Sequence, residues 1–365
     1  MSNKIVVFGA TGYAGGLVVD SLLRRGVRPV LAAHEADLLP ALAQRLGGLD
    51  YQLADVTKPD TVRALVDAGD VLITTVGPFE RFGYTTAQAA ADAGAHYVDS
   101  TGEVGFVRDL QERHHSRARA TGAVMLSSFG YDYVPGILAG ALAAQQAGGR
   151  VRGLDIGYFV AGSLRHGRGL SQGTRKTVGD GITRPVTIRK GDQLVDERAG
   201  RLVRSFTVRG RNRTAALASG TEVLYLPNQF PYLESVSVYN GWFPGRGVQL
   251  LSAVANAGVK NPAGQRLFDS FKRRAAGPVG GPDAAERART RTHVVAVARD
   301  YAGTELAEVH VEGPSIYNLT GELIAWAGHQ LASGNGRTPG VVGPIEAFGL
   351  DALRSGAAEI GLKQV

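Results

Sequence analysis

Residues 5–15 read Ile5-Val6-Val7-Phe8-Gly9-Ala10-Thr11-Gly12-Tyr13-Ala14-Gly15, an apolar run of four that breaks into a glycine-rich loop. Leu17, Val18, Leu22 and Leu23 follow at helical spacing, so the loop stands at a strand-to-helix junction. There each glycine has its own task. Gly9 permits the tight turn, Gly12 lets a pyrophosphate approach the backbone, and Gly15 lets the helix pack close to the strand. The start of the helix offers unpaired N–H groups and the positive end of its dipole to phosphate oxygens. Gly9, Thr11, Gly12, Tyr13, Ala14 and Gly15 are therefore expected to hold a dinucleotide, with a plain structural turn as the alternative.

Outward from this loop the first 130 residues alternate. Strands are expected at 29–33, 51–54, 71–76, 96–99 and 124–127. Helices are expected at 38–46, from Asp60, at 85–93 with Gly94 as the stop, and at 106–120. Apolar strands separated by helices of this length make βαβ units and a parallel sheet, a Rossmann domain over residues 1–134. At the end of its second strand an acid commonly binds the ribose 2′-hydroxyl of NAD. Here Ala33 holds that place, with His34 and Glu35 next. A small residue leaves room for a 2′-phosphate and a histidine can pair with it, which slightly favours NADP. Glu35 would repel that phosphate if it pointed inward, and NAD stays open.

After Pro135 the pattern changes. A helix at 136–147 precedes period-2 strand patterns around Leu154-Ile156-Tyr158, Val186-Ile188, Val203-Phe206-Val208, Val223-Tyr225 and Val236-Val238-Asn240. Residues 292–299 and 306–311 flank Asp300-Tyr301-Ala302-Gly303-Thr304 as a hairpin. A second α+β domain with a mainly antiparallel sheet is expected over 135–325, a loop at 277–282, and C-terminal helices at 319–331 and 345–360. Residues 326–365 are expected to return to the first domain. Trp242-Phe243-Pro244 and the apolar stretch 248–254 read first as ordinary core, with a hydrophobic pocket wall, an oligomer interface or a lipid contact as the alternatives.

Apolar residues at 44% and charged residues at 20% suit a globular enzyme. With no cysteine there is no disulfide framework, thiolate metal site or thioester-forming nucleophile. Adjacent His114 and His115 point about 100° apart on a helix and make no metal pair. No apolar run reaches the roughly 18 residues of a membrane span, and the chain opens on a strand rather than a leader, so a cytosolic protein is expected. The net charge is +7, yet residues 151–213 alone hold 14 Lys and Arg against five acids, an excess of nine. That concentration suggests an anionic small-molecule substrate or an acidic carrier, with a solvated basic surface as the alternative. No nucleic-acid partner is expected.

Four segments in order carry a family resemblance: residues 9–15; Thr75-Val76-Gly77-Pro78-Phe79 with Gly83; Tyr97-Val98-Asp99-Ser100-Thr101-Gly102-Glu103; and Gly130-Tyr131-Asp132-Tyr133-Val134-Pro135-Gly136. Together the chain resembles the saccharopine dehydrogenase-like oxidoreductases, and among them the bacterial group with the trans-acting enoyl reductase relatives. The resemblance covers the N-terminal domain well and residues 340–348 loosely. It implies that Val76, Gly77, Pro78 and Phe79 line the dinucleotide, and that Gly102, Glu103 and the turn from Asp132 lie near the nicotinamide. A departure is His34, where relatives usually carry an arginine. By analogy with two-domain Rossmann enzymes, a homodimer is expected.

Hydride transfer is the cofactor's chemistry, and the protein must orient it and supply a proton. None of the twelve tyrosines has a lysine four residues on, so the short-chain dehydrogenase pair is missing. The candidates are Tyr131, Asp132, Tyr133 and Glu103, against packing for the tyrosines and helix capping for Asp99, Glu103 and Asp132. Phe79 can cover a ring face. Ser171, Thr174 and Arg175, in a loop entering a helix, can grip an anionic substrate. Three functions follow. One is reduction of a C=C (enoyl) bond on a lipid-like or carrier-bound substrate. Another is C=N (imine) reduction of an amino-acid-derived substrate, with Arg165, Arg168 or Arg175 on its carboxylate. The third is a redox sensor that binds NAD(P) without catalysis.

Overall fold

Ile5 to Phe8 are buried without exception, as a strand covered on both faces must be. In the computed structural model this strand, β1 (Ile5–Phe8), lies near the middle of a seven-stranded parallel sheet. The structure describes residues 3–162, 169–258, 261, 265, 266, 270 and 280–365.

The chain divides into two units, one of 1–134 with 317–360, the other of 135–316 with 361–365. In the first unit β1 leads through α1 (Tyr13–Arg24), β2 (Val30–Ala33), α2 (Leu38–Arg45), β3 (Tyr51–Leu53), α3 (Pro59–Arg63) and β4 (Val71–Thr74). There follow α4 (Phe79–Ala93), β5 (His96–Asp99), α5 (Val104–Thr121) and β6 (Val124–Leu126). Helix α6 (Val134–Ala147) carries the chain into the second unit.

That unit contains β7 (Gly153–Ala161), α7 (Gln172–Gly181), β8 (Pro185–Lys190), β9 (Gln193–Arg198), β10 (Val203–Val208) and β11 (Arg211–Ala218). It continues through α8 (Glu222–Gln229), β12 (Ser235–Asn240), α9 (Gly245–Gly258), α10 (Ala284–Ala288), β13 (Arg291–Arg299) and β14 (Glu305–Gly313). The chain rejoins the first unit at Tyr317, earlier than the expected 326, because one unbroken helix, α11 (Ile316–Ala332), carries the return. β15 (Gly340–Val341), α12 (Pro344–Phe348) and α13 (Leu350–Glu359) complete the first unit, and β16 (Lys363–Gln364) belongs to the second.

The first sheet runs β15-β6-β5-β4-β1-β2-β3, and every pairing in it is parallel. Its order reverses beside β1, which puts a crevice at the carboxyl ends of the strands where open α/β sheets take ligands. Helix α11 packs closely because its small residues face inward. A Cβ on Gly321 would lie 3.0 Å from the Leu17 side chain, and one on Gly328 would lie 2.7 Å from Ile73. Trp326 stacks on Phe129 at 6.3 Å and meets Phe348 edge-on at 4.9 Å, fixing the returning segment to the end of β6.

The second sheet has the path β10-β11-β12-β7-β13-β14-β16, with β8 joining β12 and β9. It is antiparallel except where β12 runs parallel to β7. Five of the expected strand patterns fall on β7, β8, β10, β12 and the β13–β14 hairpin. The sixth, around Val223 and Tyr225, is a helix. Val223 and Leu226 share a buried face of α8, which runs from the cap Thr221 to Phe230 and contains Pro227. The expected C-terminal helix at 345–360 is two helices, because Gly349 adopts φ 83°, a conformation that only glycine takes without strain. The stretch 248–254 is not core either: on α9, Leu250 and Val254 are mostly exposed. Among the described residues no helix is long and apolar enough to cross a membrane.

Part of the basic stretch is paired with acids of the same unit. Arg204 pairs with Asp155 and with Glu305 at 3.0 Å. Arg209 grips Glu312 through two nitrogens, each at 2.6 Å. Glu312 also binds the ring of the buried His293 at 2.7 Å, and that ring bonds His310 at 2.9 Å. The bonds from Arg209 pull the Glu312 carboxyl down to about 2, whereas burial lowers the His293 pKa. Both folded values lie below the unfolded ones, so both contributions are complete above the unfolded pKa and are lost as pH falls. The melting temperature should therefore drop first as pH falls through about 6.5 (histidine) and again below about 4.5 (glutamate). Glu312→Gln should cost about 2 kcal/mol at pH 7 and remove the lower step. Thermal melts from pH 3 to 8 test this, and identical profiles for the two proteins would refute it.

Candidate active site

The glycine loop has the geometry its sequence requires. Gly9 sits at φ 91°, and its N–H bonds Ala32 O at 2.8 Å, tying the loop to β2. A Cβ on Gly15 would lie 2.1 Å from Gly9 O, so α1 can approach the turn only with glycine there. Gly12 occupies the cap position of α1 and is exposed; the helix has no side-chain cap and no acid in its first turn. Such an uncapped start, with the dipole unopposed, suits a pyrophosphate. Tyr13 packs edge-on against Tyr317 at 5.3 Å, and Thr11 and Ala14 are half-buried.

Val76, Gly77 and Pro78 follow β4 at the same edge of the sheet, Gly77 and Pro78 exposed and joined by a cis peptide. Phe79 differs from expectation. Its ring is buried against Phe106 at 5.7 Å and belongs to the core rather than to the loop surface. Helix α4 starts at Phe79 instead of residue 85 because Glu103 caps it: one carboxylate oxygen accepts from Phe79 N at 3.0 Å, the other from Glu80 N at 2.9 Å. Both oxygens of Glu103 are thus engaged in holding a helix start.

Behind Glu103 stands Asp99, fully buried at the end of β5. Its carboxyl accepts from Ser127 Oγ at 2.6 Å, Ser128 N at 2.8 Å and Thr101 N at 2.9 Å. Burial raises its pKa, although these bonds pull the other way. The carboxyl fastens the loop after β5 to the loop after β6. Beyond the tie, Phe129 N bonds Asp99 O, Tyr133 N bonds Ser128 O at 3.0 Å, and Tyr133 OH donates to Gly102 O at 2.9 Å. Thr320 of α11 accepts from Tyr131 N at 3.1 Å. Tyr131 and Tyr133 are buried, and Ser128 takes a left-handed φ of 62°. Asp132 lies between the tyrosines, joined to Tyr133 by a cis peptide. Part of Asp132 reaches solvent, yet desolvation pushes its carboxyl up to about 7. A group with that value can give up a proton at neutral pH.

At the other end of the crevice, Ala33 is buried, His34 is exposed, and Glu35 turns back onto the loop, accepting from Thr11 Oγ1 at 2.9 Å. The remaining candidates lie in the second unit. Ser171 caps α7 by accepting from Thr174 N at 3.2 Å, and its hydroxyl meets that of Thr174 at 2.9 Å; Arg175 is half-buried one residue on. Arg165 and Arg168 lie outside the described residues. Sequence reasoning gave Asp99 a capping role and did not foresee its tie between two strands. The only signal was an acid ending one strand and a Ser-Ser pair ending the next, which carries no message until the strands are neighbours.

With this geometry in place, comparison with known proteins sets the class. Residues 5–126 match the family described as "Saccharopine dehydrogenase NADP binding domain". A trans-acting enoyl reductase of Mycobacterium ulcerans (strain Agy99) is 37% identical over 138 residues, 36% of this chain and 33% of that protein. Another, from Mycobacterium tuberculosis (strain ATCC 25618 / H37Rv), is 36% identical over 137 residues with the same shares. The match thus spans about a third of the length of these relatives. Among solved structures, apo saccharopine dehydrogenase (L-Glu forming) from Saccharomyces cerevisiae has the same fold, with a TM-score of 0.63, 12% identity and full coverage of both chains. The first unit is a nicotinamide dinucleotide-binding domain. Residues 5–126 are a domain of the saccharopine dehydrogenase NADP-binding type, and over this part the chain is similar to oxidoreductases of that family.

The residues present fit a dinucleotide through the uncapped α1 start and the close Gly9–Gly15 contact. Gly15→Ala must therefore push α1 away from the loop. The expected result is a dissociation constant for NADH or NADPH at least about 30-fold weaker, with a stability loss of about 1–3 kcal/mol from overpacking. Fluorescence titration and thermal melts measure both, and unchanged affinity would exclude this loop as the pyrophosphate site.

Proposed function

We propose that the protein is an NAD(P)H-dependent reductase that saturates the C=C bond of an enoyl group on a lipid-like or carrier-bound anionic substrate. The Asp132 carboxyl carries this reading: it is held near pKa 7 at the carboxyl edge of the dinucleotide-binding sheet. When bound, the dinucleotide supplies a hydride. The chain's own task is to orient it and provide a proton, and Asp132 is placed and tuned for the second part. Desolvation keeps its carboxyl protonated up to neutral pH, so its O–H can be donated to the carbon or oxygen that gains charge as the double bond is reduced.

Tyr131 and Tyr133, the neighbours of Asp132 in sequence, are both buried. Glu103 is a positioning residue, because both its oxygens hold α4. The enoyl substrate class is supported by the names of the mycobacterial relatives over the N-terminal third. The basic segment of the second unit, with Ser171, Thr174 and Arg175 on α7, supports an anionic acceptor or acidic carrier. Pairing to acids absorbs part of that charge, so a single anionic group suits it better than an extended polyanion.

A panel of enoyl thioesters, enones and cyclic imines, followed by loss of nicotinamide absorbance, tests the reaction. Wild type should turn over an enoyl compound with kcat falling as pH rises above about 7. Asp132→Asn should lose about 10²–10⁴-fold in kcat while binding the dinucleotide as before. Its melting temperature should rise relative to wild type by more at pH 8 than at pH 3, below the unfolded carboxyl pKa. A raised carboxyl pKa means that stability is lost as pH climbs through it, and the amide removes that loss. Turnover of imines alone would replace the substrate class. Tight dinucleotide binding with no turnover on any compound would favour a redox sensor. An alkaline limb that survives in Asp132→Asn would remove Asp132 as the donor.

A further inference from the structure

The family's description names NADP, and a 2′-phosphate calls for cationic or hydrogen-bond donor groups at the end of β2. The side chains at that place are of the opposite kind. Ala33 is buried and offers nothing beyond its backbone. His34 extends into solvent, its side chain 69% exposed. Glu35 is the residue that turns inward: its side chain is only 35% exposed and its Oε2 lies 2.9 Å from Thr11 Oγ1, inside the pyrophosphate loop. This carboxylate therefore sits between the loop and the end of β2, the space where the adenosine ribose rests when a pyrophosphate lies on α1. His34 Nδ1 is 3.4 Å from the same oxygen, so its ring already faces Glu35.

The wider rim is acidic as well. Asp37 stands at the start of α2, and Asp55 follows β3, the neighbouring strand. The Asp55 carboxyl is held low chiefly by hydrogen bonds from Thr57, with Lys58 and His34 adding to the pull. A 2′-phosphate, carrying nearly two negative charges, would meet Glu35 first and Asp37 and Asp55 around it. The nearby His34 and Lys58 side chains already face those acids.

We propose that Glu35 is the specificity-determining residue of the dinucleotide site: clasped to Thr11, it accepts from an unphosphorylated ribose and penalises a 2′-phosphate. The inference rests on the dinucleotide reading of the first unit and deepens it. A hydroxyl donates to the carboxylate, so NADH keeps the clasp's neighbourhood intact. NADPH brings like charge against like charge and must displace Glu35 from Thr11 or bind in spite of it. The penalty is electrostatic and partly exposed, so salt must screen it.

The test is equilibrium binding of NADH and NADPH to the full chain, without turnover, read by fluorescence or calorimetry at two ionic strengths. Glu35→Gln removes the charge, keeps an acceptor for Thr11, and at a half-exposed position leaves folding intact. It should tighten NADPH at least about 10-fold and change NADH by less than about 3-fold. In wild type, raising the salt should narrow the gap between the two dissociation constants. Thr11→Val, which frees Glu35 to swing into solvent, should shift the NADPH/NADH ratio in the same direction by a smaller factor. A ratio that stays within 2-fold of wild type in Glu35→Gln overturns the proposal while the dinucleotide reading stands. Failure of wild type to bind either dinucleotide overturns both.

Discussion

The first unit depends on one buried carboxyl. Asp99 ends β5 in a place closed to water, and it is tolerable there only because three donors, two backbone and one hydroxyl, converge on it. Their positions dictate the site. Thr101 N and Ser128 N belong to loops that leave neighbouring strands, so satisfying one acid fixes both loops. The order then propagates. Thr101 Oγ1 accepts from Glu103 N at 3.0 Å, and Glu103 in turn holds the first two N–H groups of α4. The carboxyl ends of β4, β5 and β6 are thereby locked by a single line of hydrogen bonds that starts at a residue with no solvent contact. Loops alone would not hold a proton donor steady; loops chained to a buried acid can.

What was legible in the sequence is what depends on neighbours along the chain. The apolar run before Gly9 and the spacing of Leu17, Val18 and Leu22 determine strand, turn and helix locally, and the parallel sheet follows from their repetition. Features set by residues far apart were hidden. Phe79 reads as a loop aromatic until Glu103, 24 residues later, caps α4 and turns the ring into the core. Val223 and Tyr225 alternate like a strand, yet they lie on the eight-residue helix α8, which is buried on more than one face. The break at Gly349 needs a left-handed φ that no periodicity reveals. The basic excess of 151–213 looked like a ligand surface because its partners Glu305 and Glu312 lie about a hundred residues on, in β14.

Those partners change what the second unit's charge means. Arg204 and Arg209 extend from the β10–β11 hairpin to β14, strands at opposite ends of most of the sheet path, and their ion pairs join edges that share no backbone hydrogen bonds. Exposed pairs contribute little singly. The Arg209–Glu312–His293–His310 chain is different because one member is buried and each bond orients the next. Positive charge that seemed free for a substrate is in part structural.

Carboxyl groups at one edge of one sheet thus come to three different ends through environment alone. Glu35, half-buried, is clasped by the Thr11 hydroxyl. Asp99, buried among donors, acts as a structural tie. Asp132, desolvated between two buried tyrosines, is pushed up to about 7 by the loss of water. Donors convert burial into architecture, whereas burial with weaker compensation raises a carboxyl's pKa. Substituting one chemistry for another at these positions would not be conservative even though aspartate and glutamate differ by one methylene. The sheet brings the groups to one edge, and each group's access to water and donors decides what it does there.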